Sequence, residues 1–462
     1  MWSALELRHV DLGDYRLNKR LVKLVDDLLH APEASVPVAS RDWAATKAAY
    51  RFWDNPRVDP DDIRAAHRDI TLERLDAHRH EPLLVIQDTT SFDFTDHPDT
   101  TGLGYLGHSK RSGFWLHTAL AVSAAGVPLG PLHQFTWTRD PKALGKRALR
   151  DKKETADKES QRWLDALAAT EAALPVDQMV VTVADREADL YDLFAAVRRP
   201  GSHLLIRAKP RRRVHHVERL LGRAVCASEA AGTMTVELRR GDDRPPRQAV
   251  LTLRFATLQI APPSNHPRRN ELPHLGLTAI LADEESPPAG QDPVRWWLLT
   301  TLPVATLDDA MQAVAWYALR WLVERYHYVL KSGCRVERLQ LETAERLQRA
   351  LATYYAVVAW RLLWLTYEAR RHPEASCEAV LPREQWQVLH QVVHKTTMIP
   401  AAPPSLREAV RQIARLGGFL ARKGDGEPGV KTIWRGLRRL DDIVTGFRLS
   451  CHDPAPWIVG NA

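Results

Sequence analysis

The sequence predicts an α/β protein, with helices on both faces of a mixed β-sheet and helical segments at each end of the chain. Continuous apolar runs, typical of buried central strands, occur at Leu83–Ile86 and Met179–Ala184. Residues 1–75 and the chain from residue 307 onward instead show the spacing of amphipathic helices. Residues 210–290 contain many prolines and alternating runs, which predict an inserted antiparallel β region.

These elements predict three domains. Helical domains cover residues 1–75 and 373–462, and the sheet belongs to a core domain of residues 76–372. Three domains are also what a chain of 462 residues is expected to contain. The predicted core strands are Leu83–Ile86, Trp115–Ser123, Val127–Trp137, Met179–Ala184, His203–Lys209 and Trp296–Thr300, with helices at Asp157–Leu174 and Glu187–Val197 between them.

Composition and charge exclude several classes of protein. Hydrophobic residues make up 45% and charged residues 26%, which is typical of a globular protein and not of collagen or a disordered chain. The 64 basic and 57 acidic residues leave a net charge of +7, a small excess that matters only where it is clustered. The four cysteines are far apart, so they encode neither a zinc ribbon nor a disulfide framework.

No segment is predicted to direct secretion or to cross a membrane. The N-terminus has no apolar signal core. The longest apolar stretches, Thr118–Leu132 and Ala350–Trp364, are interrupted and shorter than the roughly 20 residues of a membrane span. We therefore expect a soluble, cytoplasmic protein.

Two aspartates directly follow the buried strand runs. Asp88 comes after Leu83–Ile86 and Gln87, and Asp185 comes after Met179–Ala184. Residues just past strand ends line the crevice where ligands bind in open α/β sheets. An aspartate in this position is also a common turn former, so neither residue alone identifies a site.

A third carboxylate lies on a predicted helix over residues 309–331. At about 100° per residue, Tyr317, Arg320, Glu324 and Lys331 fall within an arc of about 60°, away from the apolar face. This polar stripe is either a solvated helix face or a set of functional side chains. Two aspartates and a glutamate are hard oxygen ligands for Mg²⁺ or Mn²⁺, as two-metal phosphoryl chemistry requires.

Two basic clusters are suited to phosphate groups. Residues 139–153 contain seven basic and two acidic residues, and Arg207–Arg213 contains five basic residues and no acidic one. Phosphate binding through such clusters should fall steeply with salt concentration. An isolated charge run is also compatible with a solvated loop.

In residue type and spacing, the polar stripe resembles the tyrosine, arginine, glutamate and lysine signature of the IS-four family of bacterial insertion-sequence transposases. Residues 85–91 and 183–189 resemble the two aspartate motifs of that family. The ends of the chain are similar as well: residues 12–14 and 49–52 resemble the DNA-binding module, and residues 414–419 the dimerisation region. The resemblance covers essentially the whole chain.

This resemblance implies an RNase-H-like catalytic core and cut-and-paste transposition by a homodimer that binds two transposon ends. Asp88, Asp185 and Glu324 would be catalytic and would bind two divalent ions, with Mg²⁺ as cofactor and Mn²⁺ as a substitute. A nick would free a 3′-hydroxyl that attacks the opposite strand to form a hairpin. The reopened end would then be joined to target DNA.

The resemblance also implies DNA contacts close to the cleavage site. Tyr317, Arg320 and Lys331 would contact phosphates, Arg320 as a bidentate donor. Trp296 occupies the position of an aromatic residue that stacks on a base flipped from the hairpin. The alternative for Trp296 is core packing, and since Trp297 points to the other strand face, one of the two is expected in the core.

Four further basic residues are candidates for DNA contact. Arg207 and Lys209 match basic positions near the hairpin, and Arg20 and Lys47 are candidates for recognition of the transposon end. Three other functions stay open at this point. They are a non-catalytic DNA-binding relative such as an inhibitor or domesticated copy, a metal-dependent nuclease without strand transfer, and a basic protein with no nucleic-acid role.

Overall fold

The computed structural model describes residues 2–30, 34–143, 154–238, 247–266, 268–422 and 424–452. Two compact units are formed within this part of the chain. The first is Met1–His67 together with Arg325–Ala462, and the second is Arg68–Glu324. The first unit is helical, and the second contains the β-sheet.

The second unit is built on one ten-stranded sheet. Numbered along the chain, its strands are β1 Leu83–Asp93, β2 Gly104–Leu106, β3 His108–Ser123, β4 Pro128–Trp137, β5 Val180–Ala184, β6 Ser202–Arg207, β7 Gly232–Leu238, β8 Arg247–Ile260, β9 Leu275–Asp283 and β10 Arg295–Thr300. Their order is β2-β3-β1-β5-β6-β10-β9-β8-β7, and β4 also pairs with β3. Only β1 with β5 and β5 with β6 run parallel among the described strands. The predicted mixed sheet is therefore confirmed.

The inserted region extends this sheet. Strands β7, β8 and β9 pair antiparallel, β9 pairs with β10, and β10 pairs with β6. The inserted strands consequently share a hydrophobic core with the central strands, in which Leu204 of β6, Ile260 of β8 and Trp297 of β10 are buried together.

Three features of the sheet differ from the prediction. The short strand β2 and the strand β9 were not predicted. Strand β1 continues to Asp93, because it pairs with β3 along its whole length, so Asp88 lies within the strand instead of directly after it. Six consecutive positions of β9 are buried, and the strand therefore lacks the alternation expected in the insertion.

Helices cover the sheet of the second unit. The helix Gln161–Ala173 packs against β3 and β4 and buries Trp163. The helix Leu307–Ala318 begins with a capping box in which the side chains of Thr306 and Asp309 each accept a backbone N–H of the other residue. Shorter helices lie at Tyr191–Ala195 and Leu221–Cys226.

The helices of the first unit come from both ends of the chain. They are Trp2–Glu6, Tyr15–His30, Val36–Ser40, Trp43–Asp54, Ala344–Ala350, Ala356–Arg371, Arg383–His394, Leu406–Leu416 and Val430–His452. The helices Pro60–Leu75 and Trp321–Tyr328 contain the residues at which the chain passes from one unit to the other. Of the helices in the described ranges, none has the length and apolar character needed to cross a membrane.

Candidate active site

The two aspartates lie next to each other in the sheet. Strands β1 and β5 run parallel with Gln87 as the Cα partner of Ala184, and Asp88 and Asp185 are the next residues on their chains. Both aspartates are half-buried, whereas Gln87 and Ala184 are fully buried. Parallel pairing thus places the two aspartates at neighbouring positions where β5 ends.

Asp185 also has a local structural role. Its Oδ1 accepts the backbone N–H of Glu187 at 2.8 Å and caps the short 3₁₀ helix Arg186–Ala188. The turn-forming role that the sequence left open therefore applies to Asp185. This hydrogen bond fixes the carboxylate beside Asp88.

The single long helix predicted around the third carboxylate is wrong. The chain forms the helices Leu307–Ala318 and Trp321–Tyr328, followed by the π-helical segment Val329–Gly333. Between the two α-helices, the backbone N–H groups of Leu319 and Arg320 bond to carbonyls three residues back, which is the tighter 3₁₀ pattern. A constant angle per residue therefore does not hold across this segment.

The interruption leaves Tyr317, Arg320 and Glu324 within hydrogen-bonding or electrostatic reach of one another. Arg320 and Glu324 stay together, with Nη2 of the arginine donating to Oε1 of the glutamate at 2.6 Å. Tyr317 is only 3% exposed, and its ring lies edge-on to Trp296 with 5.3 Å between the centroids. Lys331 belongs to the other unit, where it lies on the π-helical segment.

Arg320 connects the glutamate electrostatically with the aspartates. Burial alone would lower the pKa of Arg320, but Tyr317, Glu324 and Asp88 raise it above its ordinary value. Burial raises the pKa of Tyr317, while the charges of Arg320 and Arg207 act in the opposite direction. The guanidinium of Arg320 is thus a mostly buried cation within electrostatic reach of two of the three carboxylates.

A second arginine, Arg162, belongs to this site and was missed in the sequence. Its side chain is only 12% exposed, and it donates from Nε to Thr89 Oγ1 and from Nη2 to Glu187 Oε2, both at 2.9 Å. Burial is the main cause that lowers the pKa of Arg162, and the charges of Glu187 and Asp185 partly offset it. No sequence pattern identifies Arg162, because its partners lie on other elements.

The two tryptophans of β10 have different surroundings. Trp297 is 9% exposed and belongs to the hydrophobic core of the sheet. Trp296 is half-buried and contacts Tyr317. Arg207 at the end of β6 donates from Nη2 to the carbonyl of Arg295 at 3.3 Å and lies within electrostatic reach of Tyr317.

The remaining candidates are basic. Lys209 is exposed, and its backbone N–H donates to Asp189 Oδ2 at 2.9 Å. In the other unit, Arg20 is half-buried on the helix Tyr15–His30, and Lys47 is exposed on the helix Trp43–Asp54.

The basic cluster predicted over residues 139–153 lies mostly outside the described residues, which exclude 144–153. Arg139, at its start, donates to both oxygens of Glu159 at 2.6 Å. Its guanidinium also lies 4.2 Å from the ring centroid of Trp115. The one end of this cluster that can be described is therefore held in a bidentate ion pair and against an aromatic ring.

The donor set of Asp88, Asp185 and Glu324 suits a divalent cation, because all three offer the hard carboxylate oxygens that such ions prefer. Within the described ranges, however, no three His, Cys, Asp or Glu side chains converge as a metal-binding group. The hydrogen bond from Arg320 holds Glu324, whose side chain is 53% exposed. The carboxylate oxygens of all three residues therefore suit a cation. The two aspartates also occupy neighbouring positions beyond the paired residues Gln87 and Ala184.

Three family models match the chain. The transposase DNA-binding model matches residues 1–58 and the transposase DDE domain matches residues 151–360. The transposase Tn5 dimerisation domain matches residues 357–453. Asp185 and Glu324 fall inside the DDE match, and Asp88 precedes it.

Proposed function

Since the chain belongs to the IS-four family of DDE transposases and is similar to the Tn5 transposase, we propose that it catalyses cut-and-paste transposition of an insertion sequence. It carries a DNA-binding domain, a DDE domain and a dimerisation domain. The proposed substrates are the double-stranded transposon ends and the target DNA. A homodimer would hold the two ends together.

One observation carries the catalytic part of the proposal. Asp88 in β1 and Asp185 directly after β5 follow the paired residues Gln87 and Ala184, and Arg320 lies within electrostatic reach of Asp88 while it bonds to Glu324. A cluster of carboxylates beside a buried arginine is suited to phosphoryl transfer, in which negative charge must be both bound and neutralised.

The strand order supports an RNase-H-like core as the finer description of the fold. Along β4-β3-β1-β5-β6, the pairings from β4 to β1 are antiparallel and those from β1 to β6 are parallel. We assign DNA binding to residues 1–75, catalysis to residues 76–372 and dimerisation to residues 373–462. The insertion over residues 210–290 lies within the catalytic part.

We propose Asp88, Asp185 and Glu324 as the catalytic carboxylates and as the ligands of Mg²⁺, for which Mn²⁺ would substitute. Bound there, divalent ions lower the pKa of water and neutralise charge on the scissile phosphate. Of the protein's own groups, the Asp185 carboxylate is oriented by the Glu187 amide. The Arg320 guanidinium holds the Glu324 carboxylate through a charge-assisted hydrogen bond.

The proposed reaction is a series of phosphodiester exchanges, each of which forms one P–O bond and breaks another. Water attacks first and leaves a 3′-hydroxyl, and this hydroxyl attacks the opposite strand to form a hairpin. Water then reopens the hairpin, and the 3′-hydroxyl attacks a phosphate of the target DNA. At every step the oxygen of the broken P–O bond leaves with a proton.

Further residues are proposed to bind the DNA during these steps. Arg320, Tyr317 and Lys331 would bind phosphates, and Trp296 would stack on a flipped base. The edge-on contact between Tyr317 and Trp296 supports linked roles for these two residues. Arg207, Lys209, Arg20 and Lys47 are the further basic residues proposed to contact DNA.

The test is a cleavage assay with a linear duplex that carries the end of the element. We expect the protein with Mg²⁺ to give a nick and then a hairpin on a denaturing gel. Glu324→Ala should give neither product. Glu324→Gln keeps the size of the side chain and removes its charge, so it is the matched control for the loss of side-chain volume. Binding of the duplex without metal-dependent cleavage would contradict the proposal and favour a non-catalytic relative, and cleavage without joining would indicate a simple nuclease.

A further inference from the structure

The basic run Arg207–Arg213 borders two adjoining cavities in the sheet-containing unit. Their volumes are about 420 Å³ and about 540 Å³, and Arg213 and Ala261 line both. Of the described residues that line them, eight are lysine or arginine and three are aspartate or glutamate. Asp88, Asp185 and Glu324 line neither cavity, so these cavities are separate from the carboxylate site.

The two aspartates of the first cavity are engaged with its walls. Asp189 is buried, forms an ion pair with Arg212 and accepts the backbone N–H of Lys209 at 2.9 Å. Asp192 accepts a hydrogen bond from Thr155 Oγ1, and its Oδ1 lies 3.2 Å from His266 Nε2. Their charges therefore hold the loops in place, and the cavity is left with a strong excess of positive charge.

Three exposed basic side chains supply this excess. Lys209, Arg211 and Arg213 are exposed at the first cavity, and no side chain in the described ranges forms an ion pair with them. Their loop is held by the Lys209 backbone N–H and the Arg212 side chain, which both donate to Asp189. Isolated β-bridges also join Arg213 to Leu220 and Val214 to Ile260. The three cations thus project from an ordered loop, which lowers the entropy cost of binding an anion.

The second cavity contains an arginine in an unfavourable backbone conformation. Arg219 has a φ of +57°, in the left-handed region that favours glycine or asparagine. Its N–H bonds to the carbonyl of His216, and its carbonyl accepts the N–H of Val214. Glycine would adopt this turn more easily, so the backbone conformation does not explain an arginine here. Binding of an anion in the cavity would explain it.

We propose that the two cavities form one basic trough that binds consecutive phosphates of a DNA strand. Arg213 is shared by both cavities, and cations lie on each side of it, which suits a linear polyanion better than a single phosphate. Each cavity is also of a size that can accept a nucleotide. The inference rests on the proposed function, to which it adds a DNA-binding surface outside the carboxylate site.

The test measures binding of the full-length protein to a fluorescein-labelled DNA duplex of mixed sequence between about 50 and 200 mM salt. Each trough cation that contacts a phosphate should contribute about 0.9 to the slope of log K against log salt. We expect Arg213→Ala and Arg219→Gly each to lower the slope by about that amount, and the double variant to bind about tenfold more weakly. Arg79→Ala is the control, because Arg79 is an arginine of the same unit outside the trough.

Arg219→Gly also controls for folding, because glycine adopts the left-handed conformation at no steric cost. Its thermal midpoint should equal or exceed that of the unchanged protein. An unchanged salt slope in both variants would overturn the proposal. Displacement of the duplex by inorganic phosphate at similar concentrations would also overturn it, since that result indicates a site for a single phosphate.

Cleavage in the same variants separates this inference from the proposed function. Glu324→Ala should lose Mg²⁺-dependent cleavage and keep the salt slope of binding. If the unchanged protein never cleaves but the trough variants lose affinity, the proposed function fails and the trough stands. If cleavage depends on Glu324 and the trough variants bind normally, the trough fails and the proposed function stands.

Discussion

The aspartates and the glutamate of the candidate site are held in different ways. Asp88 and Asp185 are positioned by the backbone register of two parallel strands, and their neighbours Gln87 and Ala184 are fully buried. Glu324 lies on an eight-residue helix after an interruption, is half-exposed, and is held by the side chain of Arg320. The strand half of the site is therefore rigid, and the helix half depends on an ion pair.

This difference indicates how the site would respond to substrate. Moving Asp88 would require breaking ladder hydrogen bonds of β1, and moving Asp185 would require breaking its bond to the Glu187 amide, whereas Glu324 can turn when its partner changes. Such a change would occur if another cation replaced the Arg320 guanidinium as the partner of Glu324. Arg320 would then be available to bind a phosphate. On this interpretation Arg320 is a positioning residue for Glu324 before DNA binds.

The largest expected effect is on the strand half. Asp185→Asn keeps the size of the side chain and an oxygen that accepts the Glu187 amide, but it removes the charge. We expect DNA cleavage to fall by about a thousandfold or more, with the thermal midpoint nearly unchanged. Asp88→Asn should do the same. Near-normal single-turnover cleavage by either variant would show that the aspartate pair is structural.

The next effect separates the two tryptophans of β10. Trp297 is packed in the sheet core, so Trp297→Ala should lower the free energy of unfolding by about 3 kcal/mol. Trp296 contacts Tyr317 and is half-buried, so Trp296→Ala should cost less than about 1 kcal/mol and should slow hairpin formation or opening. Urea unfolding and a time course of the hairpin measure the two effects. Equal destabilisation by both variants would contradict the division.

The strand half was largely predictable from the sequence, and the helix half was predictable only in part. Continuous apolar runs identify Leu83–Ile86 and Met179–Ala184 as strands, and the aspartates that follow them are then adjacent if the strands are parallel neighbours. The helix interruption at Leu319 and Arg320 has no glycine or proline to signal it. A helical angle that is constant per residue consequently missed the break in the helix and the burial of Tyr317, although Tyr317 does lie beside Arg320.

Other features depend on contacts between distant elements. Arg162 reaches the site because the helix Gln161–Ala173 packs over β3 and β4, and nothing in its neighbouring sequence specifies Thr89 or Glu187 as partners. The strand β9 lies in a segment rich in prolines and is buried on both faces. Its sequence therefore does not alternate between apolar and polar residues, and it does not stand out as a separate strand. In both cases tertiary packing decides what the local pattern leaves open.

A smaller effect tests the ion pair of the helix half. Arg320→Ala removes the partner of Glu324 and a cation near Asp88, and we expect cleavage to fall by about a hundredfold. Arg320→Lys keeps the charge without the planar fork and should recover only part of the activity. A titration of cleavage with Mg²⁺ shows whether metal dependence changes as well. Full activity of Arg320→Ala would mean that the backbone alone positions Glu324.

The smallest expected effect concerns Arg162 beside the strand half. Its guanidinium bonds to Thr89 next to Asp88 and to Glu187 close to Asp185, so it ties the elements that carry both aspartates. Because the sheet register already positions these aspartates, Arg162→Ala should slow cleavage by only about tenfold. The loss should appear in the single-turnover rate and leave the affinity for DNA unchanged. A loss as large as that of Asp185→Asn would mean that the strand half, like the helix half, depends on an arginine for its geometry.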